Sequence, residues 1–190
     1  MNRDAPLADT KTLVFTSFSR PTIWQSTSED DFHEEIQCAI REDGSSPAFA
    51  FLASLCNGAD VDDPKHDPPE DRDQIYDYAK LVAIIEHIGC YGHPRKTKDV
   101  KHLSDGVWEL RHGVRRLSYW DISEDGVFNP KLPNSTADTS LKHGPDDRYP
   151  DMDWFLRLGC GWHKDGDLAP PAKIEEAKLI RAEDAAHDRT

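Results

Sequence analysis

The sequence predicts an α+β domain, a small antiparallel sheet carrying two N-terminal helices and a C-terminal helix. Three observations lead there. Apolar and polar residues alternate over 107–112 and 114–121, on either side of a His112-Gly113 turn, which marks a strand pair. Upstream, 48–56 and 71–87 carry apolar residues at helical spacing. Downstream, 171–186 follows Pro170-Pro171 and repeats Ile174, Ala177 and Ile180 on one face. Packing those stripes on one sheet is the economical way to bury them.

Taken in order, residues 1–31 show no clear period beyond a candidate strand at 12–18, and 26–31 is a polar, acidic linker. From Phe32 to Arg41 the chain alternates, with Ile36, Cys38 and Ile40 on one side, and this reads as a strand. Asp43-Gly44 turns the chain. Ser46 is placed to cap a helix that has Pro47 at its first position and ends at Asn57-Gly58. A Pro/Asp loop spans 59–70. The second helix, 71–87, is expected to stop at Gly89. A loop over 90–102 carries Arg95, Lys96, Lys98 and Lys101 before the hairpin. Residues 122–153 have no period and read as an insertion. A strand at 154–160 runs into Gly161-Trp162-His163-Lys164, and the last helix follows. The organisation is then an N-terminal extension, 1–31, and one domain, 32–190, interrupted at about 122–153.

A chain of 190 residues with 37% hydrophobic residues can bury one modest core. No apolar run approaches the roughly 20 residues of a membrane span, and Met1 to Pro6 does not open a secretory signal. A cytoplasmic protein without a membrane partner is expected. The cysteines at 38, 56, 90 and 160 are scattered, without metal-ligand spacing, and read as buried thiols; no metal or cofactor is expected. There is no H-E-x-x-H, no G-x-S-x-G, and Gly159-Cys160-Gly161 lacks the third glycine of a dinucleotide loop.

The net charge of −13 opposes general nucleic-acid binding. Its distribution is uneven. Residues 1–75 hold 6 basic and 16 acidic residues and 121–190 hold 9 and 15, but 76–120, which contain the strand pair, hold 8 and 5. The one basic third of the chain is therefore the third that carries the hairpin.

The order of these pieces resembles the RelE/HigB superfamily of toxin ribonucleases, especially its phage-derived HigB-like branch. The matching pieces are Asp43-Gly44 and Ser46-Pro47 before a short helix, Gly92-His93-Pro94, and Leu103 with Gly106-Val107-Trp108-Glu109-Leu110-Arg111. They continue with Arg116-Leu117-Ser118-Tyr119, Gly161-Trp162-His163-Lys164, Pro170 and Ile174-Glu175-Glu176-Ala177. The resemblance covers roughly 32–121 and 154–186. It implies a RelE-like fold and the toxin of a toxin–antitoxin system. Such a toxin is a metal-independent endoribonuclease that cuts messenger RNA on the ribosome and so inhibits translation. Its partner would be a cognate antitoxin, which in this branch often carries a helix-turn-helix domain.

On that resemblance Arg111, Arg116, Lys164 and His163 are the catalytic candidates, and Lys96, Lys98, Lys101 and His102 the RNA-binding ones. Cleavage needs a base near the ribose 2′-hydroxyl, cations around the phosphorus and an acid for the leaving oxygen. Histidine can serve as base or acid, and arginine offers a planar fork to phosphate oxygens. Strand alternation puts Arg115 on the opposite side from Arg116. Where the family has further cations after the lysine, this chain has Asp165, Asp167 and Leu168. That departure keeps a second reading open, a RelE-like fold that has lost catalysis and serves as a binding or regulatory module.

Overall fold

The computed structural model describes residues 20–63, 65, 71–134, 149–164, 166 and 168–187. Six strands and three helices follow in the order β1 (Thr22–Gln25), β2 (Glu35–Cys38), α1 (Pro47–Cys56), α2 (Arg72–Tyr91), a 3₁₀ turn (Thr97–Asp99), β3 (Val100–Ser104), β4 (Val107–His112), β5 (Arg115–Ile122), β6 (Phe155–His163) and α3 (Pro171–His187). The sheet order is β1-β2-β6-β5-β4-β3. The protein is thus α+β, but the sheet is mixed rather than antiparallel. β2 and β6 run parallel, with Ile36 beside Leu156 and Cys38 beside Leu158. A parallel neighbour needs a long crossover, and α1, α2 and the β3–β5 meander supply it.

The sheet is buried on both faces. Against one face pack α1 and α2, with Leu52, Leu81 and Ile85 meeting Ile36, Leu110, Leu117 and Leu158. Against the other packs α3, whose Ala177 and Ile180 meet Val107, Trp120, Cys160 and Trp162. The two sets alternate along β4 and β5, as side chains on a pleated strand must; along β6 Leu156 and Leu158 take the first face and Cys160 and Trp162 the second, because the register shifts between the Leu117–Gly161 and Tyr119–Leu158 pairs.

Several boundaries differ from expectation. The strand expected over 32–41 is only β2, because the main-chain N–H groups of Phe32 and His33 go to Cys90 and Gly89 instead of a strand neighbour. The second helix runs through Gly89 to Tyr91 and is closed by Gly92 in the left-handed conformation. Gly89 is there for packing: a Cβ would lie 2.5 Å from the Trp24 ring. Asp71 caps that helix through the N–H groups of Asp73 and Gln74, whereas the Ser46 side chain makes no cap. β1 and β3 were not expected, and β6 extends to His163. The candidate strand at 12–18 lies outside the described residues. Of the four thiols, only Cys38 and Cys160 are buried; Cys90 is intermediate and Cys56 exposed.

Both described ends of the 122–153 segment are built into the fold. Tyr149 and Met152 belong to the core under α1 and α2. Lys131 accepts the Trp108 indole N–H at its carbonyl (2.9 Å) and extends Nζ to Asp153 at 2.9 Å and Asp121 at 3.6 Å. α3 is held by Asp184, only 1% exposed, whose Oδ1 accepts from the N–H of Ile40 at 2.8 Å and from Arg20 at 2.6 Å.

Candidate functional site

The β4–β5 hairpin and the end of β6 place charged residues on both sides of the sheet. Register decides which side. Lys101 stands beside Glu109, Arg111 beside Arg116, and Arg116 beside Trp162. All are on the α3 face, and Lys164, two residues past Trp162, adds its charge there. Glu109 is the centre of this group. It is 3% exposed, and its carboxylate lies 3.5 Å from Arg111 Nε and 3.9 Å from Arg116 Nε. Burial raises its pKa above the usual glutamate value, against the pull of Arg116, Arg111, Lys101 and Lys164.

Four cations thus share one carboxylate. The two guanidinium contacts are longer than good hydrogen bonds, and Arg111 Nε, although buried, has no hydrogen-bond partner. Arg116 is more committed. Its Nη1 donates to the carbonyls of Gly113 (3.0 Å) and Arg115 (2.6 Å). Burial, then the charge of Arg111, lowers its pKa, with Glu109 opposing. Arg111 Nε thus keeps an unspent N–H donor, and its guanidinium, with other cations near, can take an anion with planar, bidentate contacts. The carboxyl beside it can carry a proton.

The structure therefore brings Arg111, Arg116, Lys101 and Lys164 together. It does not bring His163 to them. β6 continues through His163, so alternation turns that side chain to the opposite face. There His163 Nε2 lies 2.6 Å from Asp60 Oδ2, and Nδ1 meets Arg115 Nη1. His102 also leaves the group. It pairs with Trp108 on the α1/α2 side, its ring centroid 5.1 Å from that indole, and burial lowers its pKa. Lys96 and Lys98 are exposed beside the 3₁₀ turn that leads into β3. Glu109 is the residue of this cluster that stands outside the candidates expected from the sequence, where it enters only as part of a motif. The available signal was its position two residues before Arg111 on the strand.

On the far face Arg115, its side chain 3% exposed, spends its fork on three groups. Nε donates to Asp77 Oδ2 at 2.8 Å, Nη2 to Asp63 Oδ2 at 2.6 Å, and Nη1 meets His163. Burial works against its charge, but Asp63 and Asp77 hold its pKa above the ordinary value. A cleft of about 560 Å³ opens beside it, lined by Asp63, Asp71, Asp73, Asp77 and Tyr76 among others.

Among the described residues no set of three or more His, Cys, Asp or Glu is arranged to hold a metal ion, and no helix is long and apolar enough to cross a membrane. No protein-family model matches the chain, and no curated protein matches it in sequence.

Proposed function

We propose that this protein is a ribonuclease toxin of the RelE/HigB kind, acting on messenger RNA in the ribosome and held in check by a cognate antitoxin. The observation that carries the reading is the cluster on the α3 face, where Arg111, Arg116, Lys101 and Lys164 surround the buried Glu109. The order of sequence motifs supplies the family, and the cluster supplies a chemistry suited to it.

In this reading Arg111 and Lys164 hold the scissile phosphate, with Arg116 behind them. Glu109, its pKa raised by burial, takes the proton of the 2′-hydroxyl as that oxygen attacks phosphorus. The bond from phosphorus to the 5′-oxygen breaks, leaving a 2′,3′-cyclic phosphate. The departing oxygen takes a proton from the Lys164 ammonium. The cations stabilise the charge that builds on the non-bridging oxygens. Lys96 and Lys98 lie in the exposed approach to β3 and guide the backbone of the RNA. His163, on the opposite face, does not touch the phosphate in this scheme.

A second reading, a binding module without catalysis, is favoured by one observation. Arg116 is 5% exposed and tied to two main-chain carbonyls, as a scaffold residue would be. The readings separate on Glu109→Gln, which removes the base but keeps the cations.

The test is inducible expression in a bacterial host. Wild type should arrest growth, with translation falling before bulk RNA is degraded, and Lys164→Ala should relieve the arrest. Arrest that persists unchanged in an Arg111→Ala, Lys164→Ala double variant would refute the reading.

A further inference from the structure

Arg115 and His163 are direct cross-strand neighbours at the ends of β5 and β6. Arg116, next on β5, and Lys164, the residue after β6, belong to the cationic cluster on the other side. We propose that the Asp60–His163–Arg115 chain is a positioning device, which fixes these two strand ends and so aims Arg116 and Lys164 at the anion bound on the opposite face. The inference rests on the anion-site reading above.

The geometry of the chain supports a relay of position. Arg115 can only donate, so the His163 nitrogen it meets, Nδ1, is the bare one, and the N–H sits on Nε2 facing Asp60. Asp60 is itself anchored. Its N–H donates to Gln74 Oε1 at 2.8 Å, and its carbonyl accepts from Gln74 Nε2 at 3.0 Å. Asp77 lies on α2 as well. The strand ends are therefore referenced to α2 and to the connector that precedes it, through hydrogen bonds with defined directions.

Two links carry that reference through the sheet. Arg116 Nη1 donates to the carbonyl of Arg115 at 2.6 Å, so a rotation of the Arg115 peptide moves the Arg116 head. The N–H of Lys164 donates to the carbonyl of Val114 at 2.8 Å, one residue before Arg115. β6 ends at His163, so that bond ties the Lys164 main chain to the turn that opens β5. Buried ion networks often stabilise no better than apolar packing of the same volume. Here the network supplies direction, which apolar side chains do not.

The experiment is a titration of the full-length protein with inorganic phosphate, followed by the Arg Nε–H resonances. Lys164→Ala and Arg111→Ala test the anion site itself. His163→Leu keeps bulk against Phe51, which the ring now meets edge-on, but removes both hydrogen bonds. It should weaken phosphate binding about tenfold, the scale expected when binding groups shift by part of an ångström. His163→Gln can donate to Asp60 and accept from Arg115, and should restore binding to near wild type. If His163→Leu does not fold, Arg115→Lys replaces it; it leaves a charge for Asp63 but no fork for His163, and should show the same loss. Wild-type affinity in the folded His163→Leu or Arg115→Lys protein, while Arg111→Ala and Lys164→Ala lose binding, overturns the positioning role and leaves the anion site standing. Equal weakening by His163→Leu and His163→Gln also overturns it. Undiminished binding in Arg111→Ala and Lys164→Ala removes the site and the inference together.

Discussion

Two charged clusters occupy the same end of the sheet and alternate along the same strands, yet their charges are matched differently. On the α1/α2 side Arg115 meets Asp63 and Asp77 at 2.6 and 2.8 Å, and Asp60 is joined through His163. On the α3 side four cations share Glu109, and the nearest guanidinium nitrogens stop at 3.5 and 3.9 Å. The first cluster satisfies itself and holds conformation. In the second, Arg111 Nε keeps an open donor among neighbouring cations, a setting that suits an anion.

The comparison breaks most visibly in stability. Arg115→Ala should lower the unfolding free energy by about 3–5 kcal/mol, since it strands buried carboxylates. Arg111→Ala should change it by less than about 1 kcal/mol, since it relieves repulsion as well as removing a contact. Denaturant unfolding of both variants measures this. Equal losses would make the cationic cluster structural too.

A third carboxyl, at the other end of β5, sharpens the point through pH. Burial, opposed by the N–H of Asp153, then reinforced by the Asp153 charge, raises Asp121 to about 7. A raised folded value means that its contribution to stability is full below about pH 4 and is lost as pH rises toward 7. Asp121→Asn keeps an acceptor for the Asp153 N–H and does not titrate. Its stability relative to wild type should rise by roughly 2–4 kcal/mol between pH 4 and pH 8. A flat difference across that range would mean that Lys131 neutralises Asp121 fully.

Glu109→Gln, like Arg111→Ala, should have only a small effect on stability. Burial raises the Glu109 pKa, so its contribution also falls as pH rises, and the neutral variant should lie within about 1 kcal/mol of wild type at pH 8. Growth arrest should nevertheless be lost. A variant that arrests growth as wild type does would remove Glu109 from the chemistry.

Much of this arrangement was legible in the sequence because it is local. Alternation around the hairpin puts Arg115 and Arg116 on opposite faces; the Glu109-to-Arg111 spacing carries a signal of the same kind, although Glu109 is not among the residues expected at the site. The same rule separates His163 from Lys164, but the strand was expected to end at Cys160, and alternation was not carried to 163. β3 reads Val-Lys-His-Leu-Ser and β1 is four residues long; short, polar edge strands leave little pattern. The parallel pairing of β2 with β6 joins residues more than a hundred positions apart, and no local period reports it. The Asp60–His163 link is non-local in the same way. Gly161 belongs to a piece that carries the family resemblance, but a Cβ there would fall on the Phe51 ring, so the glycine is required for the packing of α1.

Whether the α3-face cluster cuts RNA is decided by messenger cleavage on programmed ribosomes with purified protein. Wild type should cut the message within the decoding site. The Arg111→Ala, Lys164→Ala double variant, shown to be folded by its melting transition, should leave the message intact. Equal cleavage by both proteins, or an intact message with wild type, would contradict the account.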